Sequence, residues 1–332
     1  MKRKNLYILI FLYIIFTMPL CADIFNFDNH SLSMQIESGV FYGTAYEQIY
    51  TTSHSVDYAS ELQWNIKKLW FVGAFFEYAP KNPLANNAMF FNFDLKVGIP
   101  SKTGVMEDRD WMDISKPDML TNFSSHDNKT TGAFTINSAS GFSIPLAGNF
   151  FAKISLDFMM IYYKFEAWDG YTQYGTNAGK MNPPYDPWNP NFEKIPFKGL
   201  GIDYLQLWMA INPVFGIEWH GNKFVFISAF SFNTNIFCLT VDNHYVRQPP
   251  FTLSNLSGAV NGLLLEAKGS IFYKLSNNFS IGASLKYTSI DSRGDLTLEE
   301  HYEYYNSTRQ APNGGGSAYK VFVGGLIFKI VF

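Results

Sequence analysis

Hydrophobic and polar residues alternate one by one through long stretches of this chain. In "NFSIGASLKYT", 278–288, Phe279, Ile281, Ala283, Leu285 and Tyr287 fall on one face, and Ser280, Gly282, Ser284, Lys286 and Thr288 on the other. In "MFFNFDLKVG", Met89, Phe91, Phe93, Leu95 and Val97 oppose Asn92, Asp94, Lys96 and Gly98. "FAKISLDFMM" and "LLLEAKGSIFYK" repeat the pattern around Ile154 and Leu265. Successive side chains on a strand point to opposite faces, so each run predicts a strand with one apolar and one polar face. One run changes phase. Phe224, Phe226, Phe230 and Phe232 are even-numbered, whereas Phe237, Leu239 and Val241 are odd. A bulge near Asn233–Asn235 would reconcile the two halves.

A soluble sandwich alternates in the same way. Three features favour a closed barrel in a membrane. Many runs reach or exceed the ~10 residues that cross a bilayer on a tilted strand. The chain ends "VFVGGLIFKIVF", with Phe322, Leu326, Phe328, Ile330 and Phe332 on one face and an aromatic last residue. It also begins with an export signal. "MKRKN" is basic, "LYILIFLYIIF" apolar and "TMPLCAD" a small-residue exit, the order of a secretory signal peptide. The apolar run is short for a membrane anchor. "PLC" is a poor lipobox, so lipidation of Cys21 is not expected. The reading is a signal peptide over 1–22 and one barrel domain over 23–332.

Short breaks near 81–86, 146–149, 220–222 and 276–278 take turns with polar stretches near 51–56, 104–128, 171–196, 242–252 and 297–316. Tight turns at one end and long loops at the other would produce this order. The runs between them number about ten, an even count as bacterial barrels require. Pro183, Pro184, Pro187, Pro190 and Pro196 mark 171–196 as loop. The fold expected is all-β, a ten-stranded antiparallel transmembrane β-barrel with long extracellular loops.

Charge narrows the function. Losing residues 1–22 removes Lys2, Arg3 and Lys4 from 25 basic residues, leaving 22 against 28 acidic ones, a net of −6. That argues against nucleic acid as a partner. Cys238 is then the only cysteine, so neither an intrachain disulfide nor a cysteine metal cluster is expected. With charged residues at 16% of the chain, "EDRDWMD" at 107–113 stands out. Glu107, Asp108, Asp110 and Asp113 repel one another. Either they line a solvated loop or the carboxylates are needed together. Asp108 and Asp110, two apart, share a face on extended backbone, provided Pro100 and Gly104 leave the phase of 92–98 intact. "TVDNHYV", 240–246, offers a second pair. There Asp242 could orient His244 as a general base. Taken singly, each pair is as well explained by a polar loop.

Together the two stretches resemble the omptins, ten-stranded outer-membrane proteases of Gram-negative bacteria. "GVMEDRDWMDISKPDMLTNFSSH", 104–126, is similar to the omptin series Gly, Met, Asp-x-Asp-Trp-Met-Asp, Ser, Pro and Ser-x-His. "DNHY", 242–245, resembles their Asp-x-His-Tyr, and "YEQIY", 46–50, their first-loop segment. "SRGDLTL", 292–298, is a weaker likeness. The resemblance implies catalytic roles for Asp108, Asp110, Asp242 and His244. Water would be activated between the Asp pair and the Asp–His dyad, without an acyl-enzyme. Trp111 and Met112 would pack beneath the carboxylates, and Asp113 would be structural. Glu47, Asn122, Ser124 and Thr240 fall at substrate-binding positions. His126 would pair with Ser124 near the site, against the alternative of a plain loop histidine.

Two positions where omptins carry acids hold Asn122 and Thr240 here, so the expected preference for basic residues is weakened. Omptins also need lipopolysaccharide, held by a charged cluster outside the barrel. The matching strand carries Phe158, Met160 and Tyr162, which puts lipopolysaccharide dependence in doubt; no other cofactor is expected. The reading implies protein or peptide substrates, outer-membrane lipid around a monomer, and an active site facing outside the cell. Two rivals remain at this level. One is a non-catalytic barrel acting as an adhesin. The other is a metal hydrolase using Asp108, Asp110, Asp242 and His244 as ligands. Ten strands are too few for an open aqueous pore, which disfavours a porin.

Overall fold

A computed structural model describes residues 30–51, 58–81, 88–175, 185–258 and 262–332. The expected signal peptide lies outside them, as do Pro183 and Pro184. The chain forms strands β1 (His30–Tyr50), β2 (Tyr58–Pro80), β3 (Ala88–Gly98), β4 (Ser101–Asp110), β5 (Asn122–Pro145), β6 (Phe150–Tyr174) and β7 (Ile195–His220). They are followed by β8 (Phe224–Asn233), β9 (Ile236–His244), β10 (Phe251–Ser257), β11 (Gly262–Lys274), β12 (Phe279–His301) and β13 (Asn306–Val331).

These 13 segments build ten walls. β3 and β4 both run between β2 and β5. β8 and β9 both pair with β7. β10 and β11 both pair with β12. Every pairing is antiparallel, and β1 closes the ring against β13. The expected phase change is the break between β8 and β9, where Asn233 Oδ1 accepts from the Asn235 N–H at 2.8 Å. Gly39 in β1 faces Gly325 across the closing seam, and a Cβ there would sit 2.0 Å from the Gly324 carbonyl oxygen.

Outward positions carry the apolar side chains the alternation assigned to lipid, among them Ile36, Trp70, Phe142, Leu156, Phe215, Phe230, Leu285, Leu326 and Phe328. Outward charges begin higher up, as Lys102–Asp127 at 2.7 Å, Lys164–Asp203 at 3.4 Å and Arg109–Glu107 at 2.5 Å. Strands of 21 to 26 residues therefore rise well past the belt. There both faces are polar and the alternation fades. For that reason parts of the polar stretches expected as loops are strand, including 104–110, 122–128, 171–174, 297–301 and 306–316. Pro196 likewise sits second in β7, where a missing N–H is tolerated.

Inside the belt the lumen is filled by ion pairs. Lys153 bridges Glu77 at 3.0 Å and Glu218 at 2.9 Å, and Lys96 bridges Asp94 at 2.7 Å and Glu37 at 2.9 Å. They surround a cavity of about 170 Å³. Above them lies an apolar and aromatic plug. Trp64 stacks on Phe165 and Tyr204 with centroids 5.5 Å apart in each case, and Phe41, Phe71, Tyr163, Tyr319 and Trp208 complete it. The plug is the floor of the site.

Candidate active site

Each element at the loop end contributes a few lumen-facing residues. β4 brings Asp108 and Asp110. The break at Ile99–Pro100 shifts the phase so that Thr103 points inward, and the irregularity at Gly104, with φ of +126°, shifts it back. The even-numbered Met106, Asp108 and Asp110 therefore share the lumen face, as the sequence required. Both carboxylates are buried, at 8% and 7% exposure, so this is no solvated loop.

β5 runs beside β4 with Asp108 opposite Ser124 and Asp110 opposite Asn122. Asn122 Nδ2 donates to Asp110 Oδ2 at 3.5 Å. From the other side, Ser60 of β2 stands opposite Asp110 and donates to Asp108 Oδ1 at 3.4 Å. His126 is a buried strand residue, not a loop histidine. Its Nε2 meets Ser124 Oγ at 3.1 Å and its Nδ1 the Asp169 carbonyl at 2.6 Å. That carbonyl is aimed by a bulge in β6 at Gly170, with φ of +114°, where a Cβ would lie 2.1 Å from the Ser125 carbonyl oxygen.

The strand ends at Asp110, and Trp111 turns toward Tyr58 of β2 and not beneath the carboxylates, while Met112 is half-buried with its N–H on Thr121 Oγ1 at 3.2 Å. Trp111 is half-buried against Tyr58 at 6.3 Å, and Leu62, Trp64 and Met106 are the fully buried neighbours below. Asp113 caps a turn, accepting from the Ser115 N–H at 3.0 Å and its Oγ at 2.6 Å.

Across the lumen, β9 presents Thr240, Asp242 and His244, all buried. His244 Nε2 lies 2.6 Å from Asp242 Oδ2, and the imidazole stacks on Phe251 of β10 at 4.2 Å. With Nε2 engaged, Nδ1 is the nitrogen left to accept a proton. Glu47 of β1 is 4% exposed, and burial, followed by the charge of Asp242, pushes its carboxyl well above the usual range.

The site lies beyond the apolar belt, and its electrostatics follow from burial. Burial and then the Asp110 charge push the Asp108 carboxyl well up, with the Arg247 charge opposing them. Burial also raises Asp110, against the Ser60 hydroxyl, the Arg247 charge and the Asn122 amide. Two such carboxyls side by side hold one proton more readily than none. Burial lowers His244 to about 4, so its imidazole is neutral at pH 7. Ser60, Tyr174 and Arg247 were not legible as site residues. Arg247 hydrogen-bonds Tyr174, and its charge acts on Asp108, Asp110 and His244. A cation three residues past the dyad was visible in the sequence, but not its aim. Among the described residues, no group of three or more His, Cys, Asp or Glu is placed to hold a metal.

A closed ten-walled barrel with an apolar outer belt, and with carboxylates and a histidine gathered at one rim, has the form of a membrane β-barrel. The Omptin family profile matches residues 28–330, and the chain belongs to the omptin family of outer-membrane proteases. The fold is similar to that of the outer membrane protease OmpT from Escherichia coli, with TM-score 0.77, 16% identity, and coverage of 91% of this chain and 97% of that one. The translocator domain of the autotransporter NalP from Neisseria meningitidis aligns only loosely, with TM-score 0.32 and 9% identity over 92% of this chain and 89% of that one. No curated protein matches the chain in sequence.

Proposed function

We propose that the protein is an endopeptidase that hydrolyses peptide bonds with a water molecule activated between Asp108–Asp110 and Asp242–His244. The observation that carries this reading is the placement of a buried carboxylate pair opposite a hydrogen-bonded Asp–His dyad in an omptin barrel. The water attacks the scissile carbonyl carbon while Nδ1 of His244 takes its proton. Asp242 steadies the imidazolium that results. Asp108 and Asp110 hold the water and share a proton. When the C–N bond breaks, His244 returns its proton to the leaving amine.

Substrate choice follows from the charges at the rim. Asn122 and Thr240 are neutral, and Arg247 adds a positive charge. Both support a weaker draw on basic side chains than a fully acidic groove would exert. Ser124, anchored by His126, lines the groove beside Asp108. Phe158, Met160 and Tyr162 lie on the outer wall of β6, which supports contact with acyl chains over recognition of lipopolysaccharide charge. The monomer works with its long-loop end and active site outside the cell.

The test is digestion of a mixed peptide library by the refolded barrel, with and without lipopolysaccharide and chelator. Wild type should cleave in chelator, Asp108→Asn should be inactive, and His244→Ala should lose about 10²- to 10⁴-fold in rate. A folded wild-type barrel that cleaves nothing would sink the proposal and favour an adhesin. Loss of cleavage in chelator would favour a metal hydrolase.

A further inference from the structure

His244 is the last residue of β9. Past it the ladder with β7 carries one more bond, from the Tyr245 N–H to the Gly201 carbonyl at 3.0 Å. The end of a strand opens more readily than its middle. On the lumen side Asp242 and the Phe251 ring hold the imidazole itself. The backbone that carries it is held from the opposite face of the wall. There Asn243 and Tyr245, the two chain neighbours of His244, reach one carboxylate. Asn243 Nδ2 donates to Asp203 Oδ1 at 2.6 Å, and the Tyr245 hydroxyl donates to Asp203 Oδ2 at 3.0 Å. Asp203 stands on β7 directly opposite Asn243. Lys164 of β6 meets the same carboxylate at 3.4 Å. Although Asp203 points away from the lumen, these partners leave its side chain only 14% exposed.

The row continues on the other side of β9. Thr252 of β10 pairs with Asn243, beside the pairing of Phe251 with His244. Its Oγ1 donates to Asn243 Oδ1 at 2.8 Å and lies 2.9 Å from His301 Nε2 of β12. The directions along the row are forced. A carboxylate only accepts, so the Asn243 amide turns its N–H to Asp203 and its oxygen to Thr252. The Thr252 hydroxyl spends its proton on Asn243, so His301 Nε2 is the donor to Thr252. β6, β7, β9, β10 and β12 are thereby tied together at one height, directly behind the dyad.

We propose that Asp203 is a positioning residue: from the outer wall its carboxylate grips the residues on either side of His244 and so fixes the imidazole at the groove. Asp203 faces away from the lumen and acts through β9 without touching substrate. This inference rests on the proteolytic reading for its kinetic consequence, though not for the hydrogen bonds themselves.

The test compares Asp203→Leu, Asp203→Asn and Tyr245→Phe with a control, Asp127→Leu, which removes an outer-wall carboxylate of β5 paired with Lys102. Asp203→Leu should lower kcat by about 10- to 100-fold with KM little changed, the scale set by a reacting group displaced by about 1 Å. Asp203→Asn should recover most of that loss, because its amide oxygen accepts from Asn243 and its N–H can donate to the Tyr245 hydroxyl. Tyr245→Phe removes one arm of the grip at an exposed position, where folding is not at stake, and should lower kcat several-fold. Asp127→Leu should match wild type. Asp242 also feels the charge of Asp203. If that charge were the whole contribution, Asn and Leu would be equally slow and the acid limb of the pH profile would move in both. That result overturns the proposal, as does a wild-type kcat in Tyr245→Phe. One readout needs no turnover. Stacked on Phe251, the His244 ring protons should resonate upfield in NMR spectra, in the same place for Asp127→Leu and Asp203→Asn but not for Asp203→Leu. An unmoved His244 signal in a folded Asp203→Leu barrel refutes the grip. An inactive wild type whose His244 signal responds as expected would refute the proteolytic reading alone.

Discussion

Arg247 is a cation whose charge acts on the carboxylate pair and on His244. Its charge lowers both aspartates against the burial that raises them, and it opposes protonation of His244. Arg247→Ala should therefore raise the carboxyls further and make the rim more acidic overall. The expected outcome is a several-fold gain in kcat/KM for arginine peptides over alanine peptides, with the alkaline limb of the pH profile moved upward. An unchanged ratio would mean that Arg247 points away from bound substrate. His244 fixes the opposite limb. A base must be unprotonated to act, and its pKa is lowered from 6.5 to about 4. Activity should thus persist as pH falls through 6 and fail only on approach to about 4. An acid limb near the ordinary histidine value would show that the imidazole is better solvated than its stacking on Phe251 implies.

Single strands reveal what the sequence could and could not convey. Within the belt, lipid on one side and ion pairs on the other force strict alternation, so β3, β8, β11, β12 and β13 were legible residue by residue. Above the belt the outer face meets water and the inner face carries buried polar side chains, so both faces are polar and the pattern no longer distinguishes strand from loop. β4 and the start of β5 were hidden in this way, although they carry Asp108, Asp110, Asn122 and Ser124. Asp108, Asp110, Asp242 and His244 stood out as polar pairs at two-residue spacing, but only the omptin resemblance attached a catalytic role to them. Ser60, Tyr174 and Arg247 did not stand out, because their roles depend on which strands become neighbours. Backbone features at this scale are also testable. At Gly39 any side chain would meet the carbonyl of Gly324 across the β1–β13 seam. Gly39→Val should reduce the yield of closed, protease-resistant barrel on refolding, whereas Ser38→Val one position away should not. A normal yield for Gly39→Val would show that the seam can open without loss of closure.

Across the whole molecule, the lumen is built in two layers with different work. The lower layer neutralises charge by pairing, and Lys153 is its hub between Glu77 and Glu218. Lys153→Met would leave two buried carboxylates facing each other. Breaking such a pair costs about 3–5 kcal/mol, to be read as a lower urea midpoint for unfolding from lipid vesicles. A midpoint equal to wild type would mean that Lys329, 3.5 Å from Glu77, takes over the pairing. The upper layer, stacked on Trp64 between Phe165 and Tyr204, does more than support the groove. It is a stopper. Placed in a planar bilayer, the barrel should carry no current steps, unlike a porin of comparable height. A bacterium could then crowd its surface with this protein and remain as impermeable to dyes, detergents and antibiotics as before.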